Sequence, residues 1–326
     1  MKNQFFKAAL SVCAVAFVAA SCFAAQPKKQ KHQPIQLGAN PIITHMYTAD
    51  PSAHVWKDGR LYLYPSHDIF PARGCDLMDK YHVFSTDDMV NWVDHGEIVN
   101  ADMVKWGRKD GGFMWAPDAA YKNGKYYFYF PHPSEGNWAT SWKVGIAVSD
   151  YPERDFKVLD EPMKGPDGYV GGWDMIDPCV FIDDDGTPYL YYGGGSHLFA
   201  ARMKDNMIEL AEPLKKVEGL VDFHEGAWVH KYKGKYYLSY ADNFDGANRM
   251  HYAMSDSPMG PWEYKGMILA ANSCAMTHGS IVEYKGEWFL FYHTSDLSHK
   301  NEYRSVAVDK LYYNPDGTIR LVSQHR

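Results

Sequence analysis

The sequence predicts an all-β protein, a five-bladed β-propeller forming one domain, and three observations carry that prediction. First, one pattern recurs five times: a short apolar stretch, a turn ending in glycine, then an aromatic-rich segment. The turn glycines are Gly59, Gly124, Gly186, Gly234 and Gly286, spaced 48 to 65 residues apart, which is a repeat length that calls for one multi-strand unit per repeat. Second, the chain is 46% hydrophobic and 15% aromatic but only 22% charged, so it holds the material of a packed core and not that of a disordered chain. Third, long amphipathic stretches of helical period are missing, which disfavours alternating strands and helices around a parallel sheet.

The segments after the glycines are RLYLYP (60–65), KYYFYF (125–130), TPYLYY (187–192), KYYLSY (235–240) and EWFLFY (287–292). Aromatic and β-branched residues fit a pleated surface, and the Lys-Asp-Gly, Lys-Asn-Gly and Lys-Gly turns ahead of them are hairpin chemistry. A third apolar stretch follows most of them: HVFS (82–85), VGIAVS (144–149), MHYAMS (250–255) and RSVAV (304–308), with Trp92, Phe156 or Trp262 closing the unit. Three or four strands per unit make a blade, and radial blades leave only short, protected edges. A β-sandwich is the competing architecture, but the units are too regular and too long for it.

Residues 1–25 are different material. Lys2 and Lys7 flank the amino end, an apolar run extends from Ala8 to Ala20, and small residues surround Cys22. This is the pattern of a secretory signal peptide, too short to span a bilayer comfortably. Export is therefore expected, periplasmic or secreted. Cys22 would carry the lipid if the segment were a lipoprotein leader, although Ala19 stands where such a cleavage box usually has Leu, Val or Ile. Residues 26–36 are polar and basic and are expected to be a tether to a domain over 37–326. With 33 Lys and Arg against 40 Asp and Glu, the net charge is −7, which gives no electrostatic reason to bind nucleic acid or an anionic membrane. Past the leader, Cys75, Cys179 and Cys274 remain. An odd count without Cys-x-x-Cys spacing encodes neither a disulfide framework nor a zinc site, so buried thiols are expected.

The informative feature is the register of the acids. Asp50, Asp177 and Glu225 each lie nine residues ahead of a turn glycine, so they occupy one structural position in blades one, three and four. Innermost strands line the channel of a propeller, and equivalent positions converge at one mouth. Gathered carboxyl groups raise each other's pKa, and burial adds to the effect. Enzymes use that arrangement to keep one carboxyl protonated and another ionised. Trp115 shares the register, nine ahead of Gly124, and Trp173 precedes Asp177, which offers aromatic faces to a sugar ring.

These residues resemble glycoside hydrolase family 43, five-bladed propeller enzymes that include α-L-arabinofuranosidases, β-xylosidases and arabinanases. The resemblance runs from about Asn40 to Leu321 and rests on DPSAHVW (50–56), WAPD (115–118), IDPCVF (176–181), HEGAWV (224–229) and THGSIV (277–282). It implies an inverting glycosidase with Asp50 as general base, Glu225 as general acid and Asp177 as the carboxylate that orients the acid and sets its pKa. Inversion needs roughly 6.5–9.5 Å between base and acid, to leave room for water. The resemblance further implies that Arg304 holds the sugar in the cleavage subsite. It also implies a calcium ion in the channel near His278, met through water because calcium prefers oxygen ligands; the chemistry itself requires no cofactor. No C-terminal β-sandwich follows blade five, so the loops at 68–80, 100–113 and 131–142 are expected to wall the pocket and favour removal of one terminal residue. An endo-acting arabinanase of the same fold and a propeller that binds glycans without cutting them are the alternatives. A lectin has no need of acids in register. The repeated Ser-x-Asp-x-Gly-x-x-Trp turns of sialidases and the Trp-Met-Asn-Asp-Pro segment of fructosidases are not evident.

Overall fold

Each of the five glycine turns folds as a hairpin in the computed structural model, which describes residues 1, 33–70, 75–244 and 248–325. All five turn glycines are left-handed, with φ between +78° and +85°. In blades two, four and five the preceding Asn123, Lys233 and Lys285 are left-handed as well, with φ of 49° to 51°. Two consecutive positive φ values define the type I′ turn, whose twist matches that of the strands it joins.

The blades follow in chain order, each an antiparallel sheet. Blade one is Tyr47–Val55, Leu61–Asp68, Lys80–Thr86 and Val93–Asn100. Blade two is Asp118–Lys122, Lys125–Pro133 and Trp142–Ser149, with the short Lys157–Val158 and Gly171–Gly172 pairing along its outer strand. Blade three is Cys179–Ile182, Pro188–Tyr192, Phe199–Arg202 and Lys215–Lys216, and blade four is Glu225–Tyr232, Lys235–Ala241, Met250–Ser255 and Glu263–Leu269. Blade five has three strands, Ser280–Tyr284, Glu287–Thr294 and Ser305–Leu311. The only helical pieces among the described residues are three short 3₁₀ turns, and none of their helices is long and apolar enough to cross a membrane.

The chain ahead of blade one completes blade five. Ile42 N donates to Val306 O and Thr48 N to Arg304 O, both at 2.9 Å. The Asn40 side chain donates to Val308 O at 3.2 Å and accepts from Val308 N at 2.9 Å. The same segment then enters the inner strand of blade one, so it closes the ring. Side chains also stitch the inner strands together. Asp118 accepts from Ser52 Oγ (2.7 Å) and from Val180 N (2.6 Å), which joins blades one, two and three. Gly226 N donates to Asp177 (3.0 Å), Trp228 Nε1 to Ile281 O (2.9 Å) and Ala53 N to Ser280 Oγ (3.1 Å), which carries the ring through blades four and five back to one.

The apolar core lies between blades, as four aromatic-rich clusters. Phe128 of blade two packs with Tyr64 and Tyr81 of blade one, for example, and Phe84 of blade one with Phe289 and Phe291 of blade five. Tyrosine suits these sites because its ring fills the gap while its hydroxyl reaches a carbonyl at the rim. Tyr129 donates to Met207 O (2.9 Å) and Tyr240 to Val221 O (2.8 Å). One expectation needs correction: Cys179 and Cys274 are buried, but Cys75 is exposed, because it opens a surface 3₁₀ turn, Cys75–Leu77, rather than a strand. The compact unit runs from Ile35 to Arg326. The expected signal peptide and most of the tether fall within residues 2–32, outside the described residues, as do residues 71–74 of the first expected wall loop.

Asn40→Ala would leave both polar groups of Val308 without their side-chain partner, at a cost of about 1–3 kcal/mol. The expected result is a melting temperature lower by roughly 3–10 °C, read by calorimetry.

Candidate active site

Asp50, Asp177 and Glu225 meet at one end of the channel because local backbone irregularities aim them there. In blade one the register slips between Ala49 and Ser52, and Asp50 is left-handed at φ 47°. Blade four slips between Glu225 and Trp228, with Gly226 at φ 69°. Asp177 is left-handed at φ 54°, just ahead of its strand. A bulge re-aims a side chain that a regular strand would turn elsewhere. Gly226 is required twice over, for its φ and because a Cβ would stand 3.1 Å from His278 Cγ.

His278 sits among the carboxyls. Its Nδ1 is 3.8 Å from both Asp50 Oδ1 and Asp177 Oδ2. Asp177 accepts the Gly226 amide and so anchors the backbone immediately after Glu225. Arg304 is buried, contrary to what a surface strand arginine would show, and all three nitrogens of its fork donate to carboxylates. Nη1 donates to Asp50 Oδ1 (3.0 Å), while Nε and Nη2 donate to the two oxygens of Asp68 (3.0 and 2.9 Å). Its backbone N also donates to Asp68 (2.7 Å). From behind, the Asp50 amide donates to Nδ1 of the fully buried His293 (3.0 Å), which makes Nε2 the protonated nitrogen, directed at Met276 O (2.9 Å).

The two acids at the ends of the trio are driven in opposite directions. Burial raises the Asp50 carboxyl, but Arg304, with His293 and His278, outweighs burial and holds it at about 2. Glu225 is pushed up to about 7 by burial and by the Asp50 charge, against the pull of Arg304. Asp177 is also raised, by burial first and then by Glu225 and Asp50. Near neutrality Asp50 is therefore ionised, and the Asp177–Glu225 pair retains a proton. Burial lowers His278, so its ring is neutral. Glu225 is the most accessible of the three, with its side chain 20% exposed against 9% for Asp50 and 6% for Asp177.

The two tryptophans lie differently. Trp115 packs on Trp142 (ring centres 4.3 Å apart) in a cluster that includes Trp138, and its Nε1 donates to Cys75 O (2.9 Å). Its carbonyl accepts from the hydroxyl of Tyr81, whose own ionisation is opposed by burial and by Asp50 and Asp177, so Trp115 stands one residue away from the trio. Trp173 is 58% exposed, on the loop that leads into Asp177.

Three residues of the site were not singled out in the sequence: Asp68, His293 and Asp118. Asp68 and His293 do share a pattern, a polar residue closing the aromatic second strand of a blade, as His132 also does in blade two. Asp118 ends the WAPD motif, but nothing in its spacing shows that it would bind blades one and three as well as its own. Among the described residues, no three His, Cys, Asp or Glu side chains are gathered so as to hold a metal ion. Calcium takes six to eight oxygens, and an imidazole with two carboxyls already engaged by Arg304 and Gly226 does not fit direct coordination.

A five-bladed propeller with three carboxyls gathered at one mouth of its channel is the architecture of a glycoside hydrolase. Residues 39–319 match the family Glycosyl hydrolases family 43, and the chain belongs to that family. It is 38% identical to a xylosidase/arabinosidase of Humicola insolens over 86% of this chain and 98% of that one. It is 36% identical to a xylosidase/arabinosidase of Bacteroides ovatus over 85% and 95%. Among solved structures, it is similar to a β-xylosidase/α-arabinofuranosidase from a compost metagenome, in complex with xylotriose and calcium-free. That match has TM-score 0.76 and 37% identity over 86% of this chain and 96% of the other. A Xanthomonas citri family member complexed with xylose gives TM-score 0.77 and 37% identity over 86% and 91%.

Arg304→Lys would keep a charge beside Asp50 but lose the fork that binds it. The acid limb of the kcat/KM profile should then move up from about 2 toward the ordinary carboxylate range near 4. A lower rate with an unmoved limb would show that Arg304 does not set the Asp50 charge.

Proposed function

We propose that the protein is an inverting, exo-acting glycosidase that removes terminal β-D-xylosyl or α-L-arabinofuranosyl residues from plant-type polysaccharides or their oligosaccharides. The observation that carries this reading is the convergence of Asp50, Asp177 and Glu225 on one end of the channel, with Arg304 bonded to Asp50, which holds Asp50 at about 2 while Glu225 is pushed up to about 7. Asp50 takes a proton from water as the water oxygen bonds to the anomeric carbon. Glu225 gives its proton to the leaving oxygen as the glycosidic C–O bond breaks. Asp177 positions the acid through the Gly226 amide and helps to keep it protonated. Arg304, besides holding Asp50, presents its guanidinium at the floor of the site, and Trp115 and Trp173 are the aromatic surfaces for the sugar. The relatives named for both xylosidase and arabinosidase activity support this substrate class.

Calcium belongs to the proposal in one form only, a hydrated ion whose waters meet His278. It would add positive potential near the carboxyls, and no step passes through it. The apolar run at 8–20 supports export, with residues 1–25 as signal peptide and 26–36 as tether. A lipid on Cys22 is the minor form of the same proposal.

Glu225→Gln and Asp50→Asn should each lower kcat/KM by at least about 10²–10⁴ on nitrophenyl xylosides or arabinofuranosides while circular dichroism stays unchanged. Full activity in either variant would refute the assignment. Because Glu225 must be protonated to act, activity should fall as pH rises through about 7. The Asp50 limb lies near 2, so the profile should be flat between them until acid unfolds the protein. Proton NMR of the first-formed sugar should show the inverted anomer.

A further inference from the structure

The amide of Asp50 has no place in the hydrogen-bond ladder of its own blade. Blade one pairs Ala49 with Ser66 and next Ser52 with Tyr64, so Asp50 and Pro51 are carried on the bulge, and Pro51 has no N–H to offer. Asp50 is also buried and left-handed, with φ 47°. A buried amide left without a partner costs about 1–3 kcal/mol, and a non-glycine residue at positive φ persists only where its surroundings hold it. The partner comes from another blade. It is Nδ1 of His293, which accepts the Asp50 amide at 3.0 Å.

His293 is itself held from two sides. It lies near the end of the second strand of blade five, Glu287–Thr294, and is fully buried. Its Nε2 donates to Met276 O (2.9 Å), and its carbonyl accepts from Asn272 Nδ2 (3.0 Å). Both bonds reach the segment that leads to His278. Ser295 binds the same segment: its amide donates to Ser273 Oγ (3.0 Å) and its hydroxyl to Ser273 O (2.6 Å). Only a neutral imidazole fits between an N–H on one side and a C=O on the other, because one ring nitrogen must accept while the other donates. Burial and Arg304, against the pull of Asp50, lower the His293 pKa to about 4, so near neutrality the ring has that form. Nδ1 also lies 3.5 Å from Asp50 Oδ1, but in this tautomer it carries no proton to give.

We propose that His293 is a positioning residue for the general base: by accepting the Asp50 amide it fixes the direction in which Asp50 presents its carboxylate to water, in step with the His278 segment that it also holds. The inference rests on the function proposed above, in which Asp50 takes a proton from water. Only that step needs the carboxylate to be aimed. Binding of the sugar before the reaction does not, so the effect of losing His293 belongs in kcat and not in KM.

The test compares His293→Asn, whose side-chain oxygen can stand where Nδ1 accepts, with His293→Gln, whose side-chain amide can reach where Nε2 donates. Each variant loses the ring. On a nitrophenyl glycoside that the wild type cleaves, His293→Gln should lower kcat about 10- to 100-fold, the size of a misplaced catalytic group, with KM unchanged, while His293→Asn recovers most of that loss. In an Asp50→Asn background, His293→Gln should cost less than about a further twofold, because its effect passes through Asp50. Melting curves establish that each variant is folded. Should His293→Gln not fold, His293→Asn decides alone: a kcat more than about tenfold below wild type overturns the proposal. Equal losses in the two variants, no loss in either, a raised KM with kcat intact, or an undiminished loss in the Asp50→Asn background overturns the positioning role and leaves the glycosidase reading intact. Wild-type activity in Asp50→Asn itself overturns that reading instead.

Discussion

The guanidinium of Arg304 is the interaction on which the rest depends, because it joins the closure of the ring to the chemistry of the site. Its carbonyl accepts from Thr48, where the N-terminal segment completes blade five before entering blade one. Its side chain and amide hold Asp68, at the end of the second strand of blade one, and Asp50, two residues past Thr48. A propeller has one seam, where the first and last blades meet, and here the seam runs beside Asp50. A buried arginine is tolerated when its charge is matched and hydrogen-bonded, and Arg304 meets Asp50 and Asp68 through Nε, Nη1 and Nη2.

The same cation separates the three acids. Burial alone would raise all of them and oppose ionisation of each. One fixed positive charge next to Asp50 reverses the balance for that residue. The resulting negative charge then raises Glu225, which Arg304 does not touch. One guanidinium and one desolvated mouth thus produce an ionised and a protonated carboxyl from chemically similar groups. Asp177 accepts the Gly226 amide and is raised by burial, Glu225 and Asp50, so its proton is part of a shared inventory.

The fold was legible in the sequence because its signals are local and repeated. Five glycine turns with left-handed φ and five aromatic strands follow directly from hairpin chemistry, and the nine-residue register brought Asp50, Asp177 and Glu225 to one place. What the register could not show was the backbone irregularity that aims them. The bulges at Asp50 and Gly226 break strand alternation, and their residues look ordinary in sequence. The partners were less legible still. Asp68 lies 236 residues from Arg304 in sequence, and Asp118 binds strands of three blades, so no local spacing encodes either. Cys75 failed for a related reason: a default of burial holds for strand cysteines, and this one begins a surface turn.

One buried cation keeps Asp50 ionised, whereas burial and the Asp50 charge, against a weaker pull of Arg304, keep Glu225 protonated. Carbon-13 NMR of labelled Asp and Glu carboxyls, titrated in the folded protein, tests it without reference to any substrate. The Asp50 signal should stay in its ionised position down to about pH 2, and the Glu225 signal should titrate near 7. Joint titration of both carboxyls near the ordinary value of about 4 would show that Arg304 does not separate them.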